Sequence, residues 1–509
     1  MSLLQRASRG YLWSQVGRFV EVVCLFALSV ILARHMSLVE YGVFALGLSL
    51  VTFCGFLTAM GVGQEALSKF VPEAAEGLYS GGVRRLVGQL LGVRVAAVAA
   101  LSGVVMLAGG RIDRFLGVPG LRQCLGWILL LFALRSICEL FSHVFSGLLE
   151  LRVVAAGRAI VPLAALALVA GSLWQGRKLS SADAFLALAV GQFIGLLIFV
   201  RSARKGWPVA PGSSAAGGIH LRRVLSFGLY AWLAGFFVYV LGDSSDVILI
   251  SWLSKDAKAV GLYAVGSSAV FRVLSLSLAW VPLIAMPTQC LAYLDGGKQH
   301  LAEAAEAVWK LIVISLVPAM FLLSEFSLPI VTLIYSKEYQ AAAPVLRVLA
   351  VLLAMSAVLG NGVHAGILYL LNQEKKACAI FAGAAAFNVA LAILLIRALG
   401  IIGAAWATGL SFVFFSALCA FFGNAVCPVR WPRAFVSRVV LASALSCLAT
   451  SWLKVNSLQA LAMAGAAWGL IFWLGLALIK PLSAKDSSSL RRINAGLAYV
   501  AERFFVRSS

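Results

Sequence analysis

Charge is what this chain has least of. Only 12% of its 509 residues are Asp, Glu, Lys or Arg, whereas 62% are hydrophobic. A soluble domain carries about a quarter of its residues as charges, so an aqueous globular fold is excluded, and the mean hydropathy of +0.97 agrees. Acids are scarcer still, 20 against 41 Lys and Arg, for a formal net charge of +21. Cysteines number nine and stand singly (Cys24, Cys54, Cys124, Cys138, Cys290, Cys378, Cys419, Cys427, Cys447) with no Cys-x-x-Cys pair. Neither a disulfide frame nor a zinc site is therefore expected, and the thiols read as small core hydrophobes. There is no Walker A loop: Gly176-Arg177-Lys178 lacks the Gly-Lys-Ser/Thr that cradles a nucleotide phosphate. No extramembrane stretch is long enough for a catalytic domain, so neither an enzyme nor a cofactor is expected. The first apolar run is too long for a cleavable signal peptide, and no small-residue cleavage site follows it.

Long apolar runs are what is abundant. A window of about 20 residues, the length that crosses a ~30 Å hydrocarbon core as a helix, picks out about fourteen spans. They are 11–33, 41–63, 86–109, 123–148, 158–174, 184–201, 224–252, 261–287, 309–334, 345–371, 377–396, 400–423, 438–453 and 459–479. With the N-terminus taken as cytoplasmic, about 25 Lys and Arg fall in inside connections and about 10 in outside ones. Both termini are thus expected inside. The basic balance reads as topology and attraction to anionic lipid headgroups, and nucleic acid is not an expected partner.

The stretch Tyr41-Gly42-Val43-Phe44-Ala45-Leu46-Gly47-Leu48-Ser49 is echoed by Val260-Gly261-Leu262-Tyr263-Ala264-Val265-Gly266-Ser267-Ser268. One offset of 219 residues matches Gly42 with Gly261, Ala45 with Ala264, Gly47 with Gly266 and Ser49 with Ser268. In both copies a long apolar run precedes a short polar corner, which is 34–40 in the first. A duplication is the reading, and repeated halves in a membrane protein place a substrate site at their interface. The expected fold class is an all-α polytopic membrane protein of about 14 transmembrane helices, as two pseudo-symmetric six-helix lobes plus an extra helix pair. Its divisions are 1–200 for the N-terminal lobe, 201–223 for a cytoplasmic linker rich in Gly, Ser, Ala and Pro, and 224–424 for the C-terminal lobe. The extra pair occupies 425–480 and a cytoplasmic tail 481–509. In the tail Leu490, Ile493, Leu497, Val500 and Phe504 recur at helical spacing beside Arg491, Arg492, Arg503 and Arg507, as in an amphipathic helix on the inner membrane face.

An ionisable group at mid-membrane costs ~2.5–3.5 kcal/mol on insertion scales, so each demands a partner or a wet cavity. Arg18 and Glu21, three residues apart on the first span, share a face: a local ion pair or part of the path. Arg135, Glu139 and His143, at i, i+4 and i+8 of the fourth span, form a polar stripe, either a seam within the lobe or part of the path. Asp243 and Asp246 lie one turn apart in the seventh span beside Ser244 and Ser245, a pair able to bind a cation or a proton. Arg272 stands in the eighth span, paired with those aspartates or binding an anion through its planar fork; Arg94 resembles it. Asn361, His364 and Asn372 on the tenth span read as cavity lining or interhelical glue.

Four segments, in order, resemble bacterial polysaccharide-repeat-unit flippases of the multidrug/oligosaccharidyl-lipid/polysaccharide exporter superfamily. They are Ile31-Leu32-Ala33-Arg34 with Glu40-Tyr41-Gly42-Val43-Phe44-Ala45-Leu46; Asp246-Val247-Ile248-Leu249-Ile250 with the Gly261 echo; Tyr339-Gln340-Ala341-Ala342-Ala343-Pro344-Val345-Leu346-Arg347; and Gly400-Ile401-Ile402-Gly403-Ala404-Ala405-Trp406-Ala407-Thr408. The chain departs from the family where a Gly-Pro usually precedes Glu-Tyr-Gly, having Ser37-Leu38-Val39 there. The resemblance implies two six-helix lobes around a cavity that opens alternately to each side of a bacterial cytoplasmic (inner) membrane. It implies a polyprenyl-diphosphate-linked glycan as cargo, with membrane lipids and polysaccharide polymerase machinery as partners. By helix position, Arg18 and Arg272 are the expected diphosphate ligands, with Arg94 beside them, and Asp243, Asp246 and Glu21 the expected ion-coupling or cavity acids. The rivals are a cation-coupled drug antiporter and a lipid II flippase of the same superfamily.

Overall fold

The computed structural model describes residues 3–59, 61–75, 82–207, 221–278 and 281–480. Residues 208–220 of the expected linker and the whole expected amphipathic tail, 481–509, lie outside the described residues. Among the described residues there is no β-strand. In hydrocarbon every backbone N–H and C=O must be satisfied within the chain, and uninterrupted apolar runs meet that demand as helices. Among the described residues thirteen helices are long and apolar enough to cross a membrane, fourteen if one bent pair counts as a span. The chain is a multi-pass membrane protein.

The chain separates into two compact units, Met1–Ala264 and Val265–Ser509. The first begins with α1 (Leu3–His35) and α2 (Leu38–Thr58). Their reversal is the expected tight corner, with the Ser37 side chain accepting from the Glu40 N–H at 3.2 Å to cap α2. The expected connection 64–85 is instead partly helical, as α3 (Gln64–Ala75). Ala66, Leu67, Phe70, Val71 and Ala74 recur at helical spacing and are all buried, with Leu86, Leu90, Leu140 and Phe199 in the same core. A twelve-residue amphipathic helix is invisible to a search for membrane-length runs.

Next come α4 (Gly82–Leu116), α5 (Leu121–Gly147), α6 (Leu151–Trp174) and α7 (Ser181–Arg204). Glu40 of the Glu-Tyr-Gly motif accepts from the Ser181 N–H at 2.8 Å, tying the start of α2 to the start of α7. Lipid is as apolar as leucine, so helix pairing here depends on close fit. On α7, a Cβ at Gly191 would lie 2.4 Å from the Val161 carbonyl oxygen and one at Gly195 2.9 Å from that of Gly157, while the Phe199 ring fills the space a Cβ at Gly157 would need.

The seventh span, expected over 224–252, is α8 (Leu221–Val240) and α9 (Asp243–Ser254), bent by 55° at the break. Gly242 is extended there, and the Ser245 hydroxyl donates to the Val240 and Gly242 carbonyls at 2.6 and 2.8 Å, satisfying acceptors the break sets free. Then α10 (Ala257–Ser277) crosses from the first unit into the second.

In the second unit α11 (Val281–Glu325) absorbs the end of the expected eighth span and breaks at Gly296 and Gly297. A π-turn over Ile330–Tyr335 and a 3-10 turn over Lys337–Ala342 lead into α12 (Ala343–Val358). The expected tenth span is broken after α12 by Gly360, Asn361 and Gly362, all at positive φ, before α13 (Val363–Leu370). Helices α14 (Glu374–Leu399) and α15 (Ile401–Val426) are joined by Gly400 alone, at φ +61, a conformation that suits glycine. The extra pair, α16 (Arg433–Thr450) and α17 (Leu458–Ile479), packs together, with α16 also against α11.

Gly191→Leu should lose ~1–3 kcal/mol of stability by overpacking. Gly171→Ala on α6, where a Cβ meets nothing within 4 Å, should gain a few tenths to ~1 kcal/mol. Thermal unfolding of the detergent-solubilised protein measures both.

Candidate functional site

Four helices of the first unit bring ionisable side chains together. On α5, Arg135 Nε donates to Glu139 Oε1 at 2.9 Å and Nη1 to Thr52 Oγ1 of α2 at 3.5 Å. On α6, Arg158 Nε donates to Ser142 Oγ at 3.0 Å, and on α4 Arg94 Nη2 donates to the Val62 carbonyl at 3.2 Å. Charge interactions join these to α1: Glu21 interacts with Arg158, Arg135 and Arg18. Glu139 interacts with Arg135, His143 and Arg94, and His143 also with Arg158. Arg18, Glu21, Arg94, Arg135, Glu139 and His143, separate expectations on three helices, thus form one cluster, and it contains a residue the sequence reading left out.

That residue is Arg158. The fifth span was expected to begin there, but α6 begins at Leu151 and carries Arg158 two turns inside. The shortness of the run 158–174 was the available signal, since a helix that crosses must extend further. At 1.5 Å per residue, Arg158 lies ~10 Å and Arg135 ~18 Å from the α5–α6 turn, well into a core of ~30 Å.

Four guanidinium groups against two carboxylates leave a formal charge of two positives when His143 is neutral. Arg18 and Arg158 are exposed, and the Arg135 and Glu139 side chains each keep 37% of their surface accessible. Arg94 is 1% exposed, and its Nε and Nη1, like His143 Nδ1, are buried without a hydrogen-bond partner among the described residues. Buried donors without acceptors are costly. The cluster thus has accessible guanidinium groups at its surface and, beneath them, the buried Arg94, two of whose nitrogens have no hydrogen-bond partner among the described residues.

The other candidates sit on other elements. Asp243 and Asp246 occupy the first turn of α9, where the helix dipole favours carboxylates. Asp246 is fully buried and accepts a hydrogen bond from the Tyr263 hydroxyl of α10. Among the described residues no group of three or more His, Cys, Asp or Glu is arranged to hold a metal. Arg272 is half-buried on α10 in the second unit, next to Phe271, whose ring lies 6.0 Å from that of Phe412. Also in the second unit, Asn361 lies in the α12–α13 break and accepts from the Ser356 hydroxyl at 3.1 Å, while His364 is buried edge-on to Trp309. Asn372 ends the following turn at φ +55.

This fold is shared with solved transporters. The lipid II flippase MurJ in an inward closed conformation superposes with a TM-score of 0.72 at 14% identity, over 95% of this chain and 99% of that one. An inward-facing multidrug resistance MATE family transporter of the MOP superfamily gives 0.62 at 12% identity, over 80% and 94%. A MATE transporter of Vibrio cholerae gives 0.56 at 14%, over 83% and 96%. An uncharacterized membrane protein of Methanocaldococcus jannaschii is 25% identical over 188 residues, 37% of this chain and 36% of that protein; the match spans about a third of that relative's length. The profile of the polysaccharide biosynthesis protein family matches residues 8–286, more than half of the sequence. The chain belongs to that family.

With the nine native cysteines replaced, Arg18→Cys and Arg158→Cys should react with a water-soluble methanethiosulfonate at least ~10-fold faster than Arg94→Cys, because thiol reactivity follows exposure. Equal rates would remove the distinction between an accessible layer and a buried one.

Proposed function

We propose that this protein moves a polyprenyl-diphosphate-linked glycan across the cytoplasmic (inner) membrane of a bacterium by alternating access, with both termini cytoplasmic. The observation that carries the reading is the cluster of Arg18, Arg94, Arg135 and Arg158 against Glu21 and Glu139. Its two surplus positive charges match a diphosphate, and paired N–H donors suit phosphate oxygens. Family membership supports a glycan cargo. An organic cation, the cargo of a drug antiporter, would meet repulsion at the same place.

Arg158 and Arg135 join Arg18 and Arg94 as headgroup ligands, and Arg272 is kept as a separate candidate phosphate ligand on α10. Asp243, Asp246 and Glu21 are the acids through which an ion gradient would couple. A headgroup carrying two negative charges gains ~4.6 kcal/mol per 100 mV on moving outward across an inside-negative membrane. The protein need only lower the barrier, with the polyprenyl tail left in hydrocarbon. Lipid II presents the same diphosphate, so the glycan separates the two flippase readings. Polysaccharide polymerase machinery is the downstream partner.

The test separates inner-leaflet from outer-leaflet lipid-linked oligosaccharide in a deletion strain by access of an added glycosidase. A protected pool should accumulate and be released on re-expression. Arg158→Ala, at normal protein level, should slow release by ~10-fold or more, since a hydrogen bond to a charged group contributes ~1.5–3 kcal/mol; Arg158→Lys should recover part of it. An unchanged leaflet distribution in the deletion strain would refute the reading.

A further inference from the structure

In the second compact unit α12 and α16 both pack on α11, yet they make little contact with each other. On one side Arg347 Nε of α12 donates to the Ser324 carbonyl at 3.4 Å. On the other the Cys447 thiol of α16 donates to the Phe321 carbonyl at 3.8 Å. Between these two flanks α11 is the floor of a groove of about 480 Å³, whose walls include Val351 and Met355 of α12 and Val440 of α16. From Arg347 beside Ser324, α12 runs back along α11 until Gly360 meets the Trp309 ring. The groove therefore has Glu325 at one end and Trp431, just before α16, at the other. Twelve residues from Arg347 to Leu359 span ~18 Å, a little over half of a ~30 Å hydrocarbon core. That is the reach of one acyl chain within one leaflet.

The end at Glu325 is not apolar. Glu325 lines the groove and forms no hydrogen bond or ion pair among the described residues. Next to it Arg347 is exposed, with Nη1 and Nη2 likewise unpartnered among the described residues. Two opposite charges that stand together without closing on each other suit a ligand that carries both signs. A carboxylate accepts from a primary ammonium, and a guanidinium donates paired hydrogen bonds to a phosphate. A polyprenyl diphosphate brings no cation for Glu325, and neither does an anionic glycerol lipid.

We propose that this groove holds an acyl chain of a zwitterionic aminophospholipid of the phosphatidylethanolamine type, with its ammonium on Glu325 and its phosphate on Arg347. The lipid fills the space that α12 and α16 leave between them, so it fastens the extra helix pair to the rest of the second unit. Every residue of the site belongs to that unit, and the site does not depend on what the protein carries.

Delipidated full-length protein in detergent is given phosphatidylethanolamine, phosphatidylcholine or phosphatidylglycerol with identical chains. Retained lipid is counted by native mass spectrometry, beside the shift in Tm. Phosphatidylethanolamine should be retained ~10-fold more than phosphatidylcholine, whose methylated ammonium has no N–H to donate, a factor typical of a hydrogen bond to a charged group. It should also raise Tm the most, as a ligand of the folded state does. Glu325→Gln should remove most of the preference, and Arg347→Ala should weaken all three lipids alike. Val351→Trp, on an exposed part of the wall, should block the groove and abolish retention and Tm gain together. Equal retention of the three lipids, a preference unchanged by Glu325→Gln, binding indifferent to Arg347→Ala, or displacement by an equal concentration of polyprenyl phosphate overturns the assignment. Should Val351→Trp fail to fold, Glu325→Gln against the native protein decides alone.

Discussion

Placing four guanidinium groups within the hydrocarbon depth of a membrane is the constraint from which the rest of the first unit follows. Each would cost ~2.5–3.5 kcal/mol on an insertion scale if left alone. Glu21 and Glu139 offset part of that cost, and the hydroxyls of Thr52 and Ser142 and the carbonyl of Val62 take up donors. Those partners come from α1, α2, α5 and the α2–α3 turn, so the charges can be held only if the helices are packed in this arrangement. The arrangement is in turn set by small residues that let backbones approach. The compensation is incomplete, and a surplus of positive charge remains in the cluster.

A second consequence of the hydrocarbon is where helices are allowed to break. Each break carries its own repair. Ser245 turns back to the carbonyls of Val240 and Gly242, and Asp243 and Asp246 lie in the first turn of α9, where the helix dipole favours carboxylates. At the α12–α13 break the Ser356 hydroxyl is donated to Asn361, and two glycines flank a residue at φ +40. Breaks of this kind occur in membranes only where protein shields the backbone, so they mark interior positions more sharply than hydropathy does.

Most of the architecture was legible because it obeys one rule: long apolar runs become helices. The corner at 34–40 and most of the spans were visible in residue order. What escaped was whatever the rule does not cover. The helix α3 is too short and too polar on one side to register as a span, although its buried face lies in the core of the first unit. The bend at Gly242 lies inside a run that remains apolar throughout. Arg158 was assigned to a helix end because the apolar window starts with it, whereas the helix starts a further seven residues back. Of the cluster, the stripe on α5 and the pair on α1 could be read from spacing within single helices. Their convergence could not, because it depends on how four helices pack.

The first compact unit does not end where the first repeat ends. It continues through α8 and α9 to Ala264, so that Trp232 Nε1 reaches the Phe56 carbonyl at 2.9 Å and Gly261 reaches Leu38. During synthesis, at ~5–20 residues per second, some seconds separate the emergence of α7 from that of α10. For that interval the six membrane-length helices α1, α2 and α4–α7 lack the contacts that α9 and α10 make with α2. The opening helices of the second repeat complete the first compact unit, so maturation of that unit waits on translation of the next repeat.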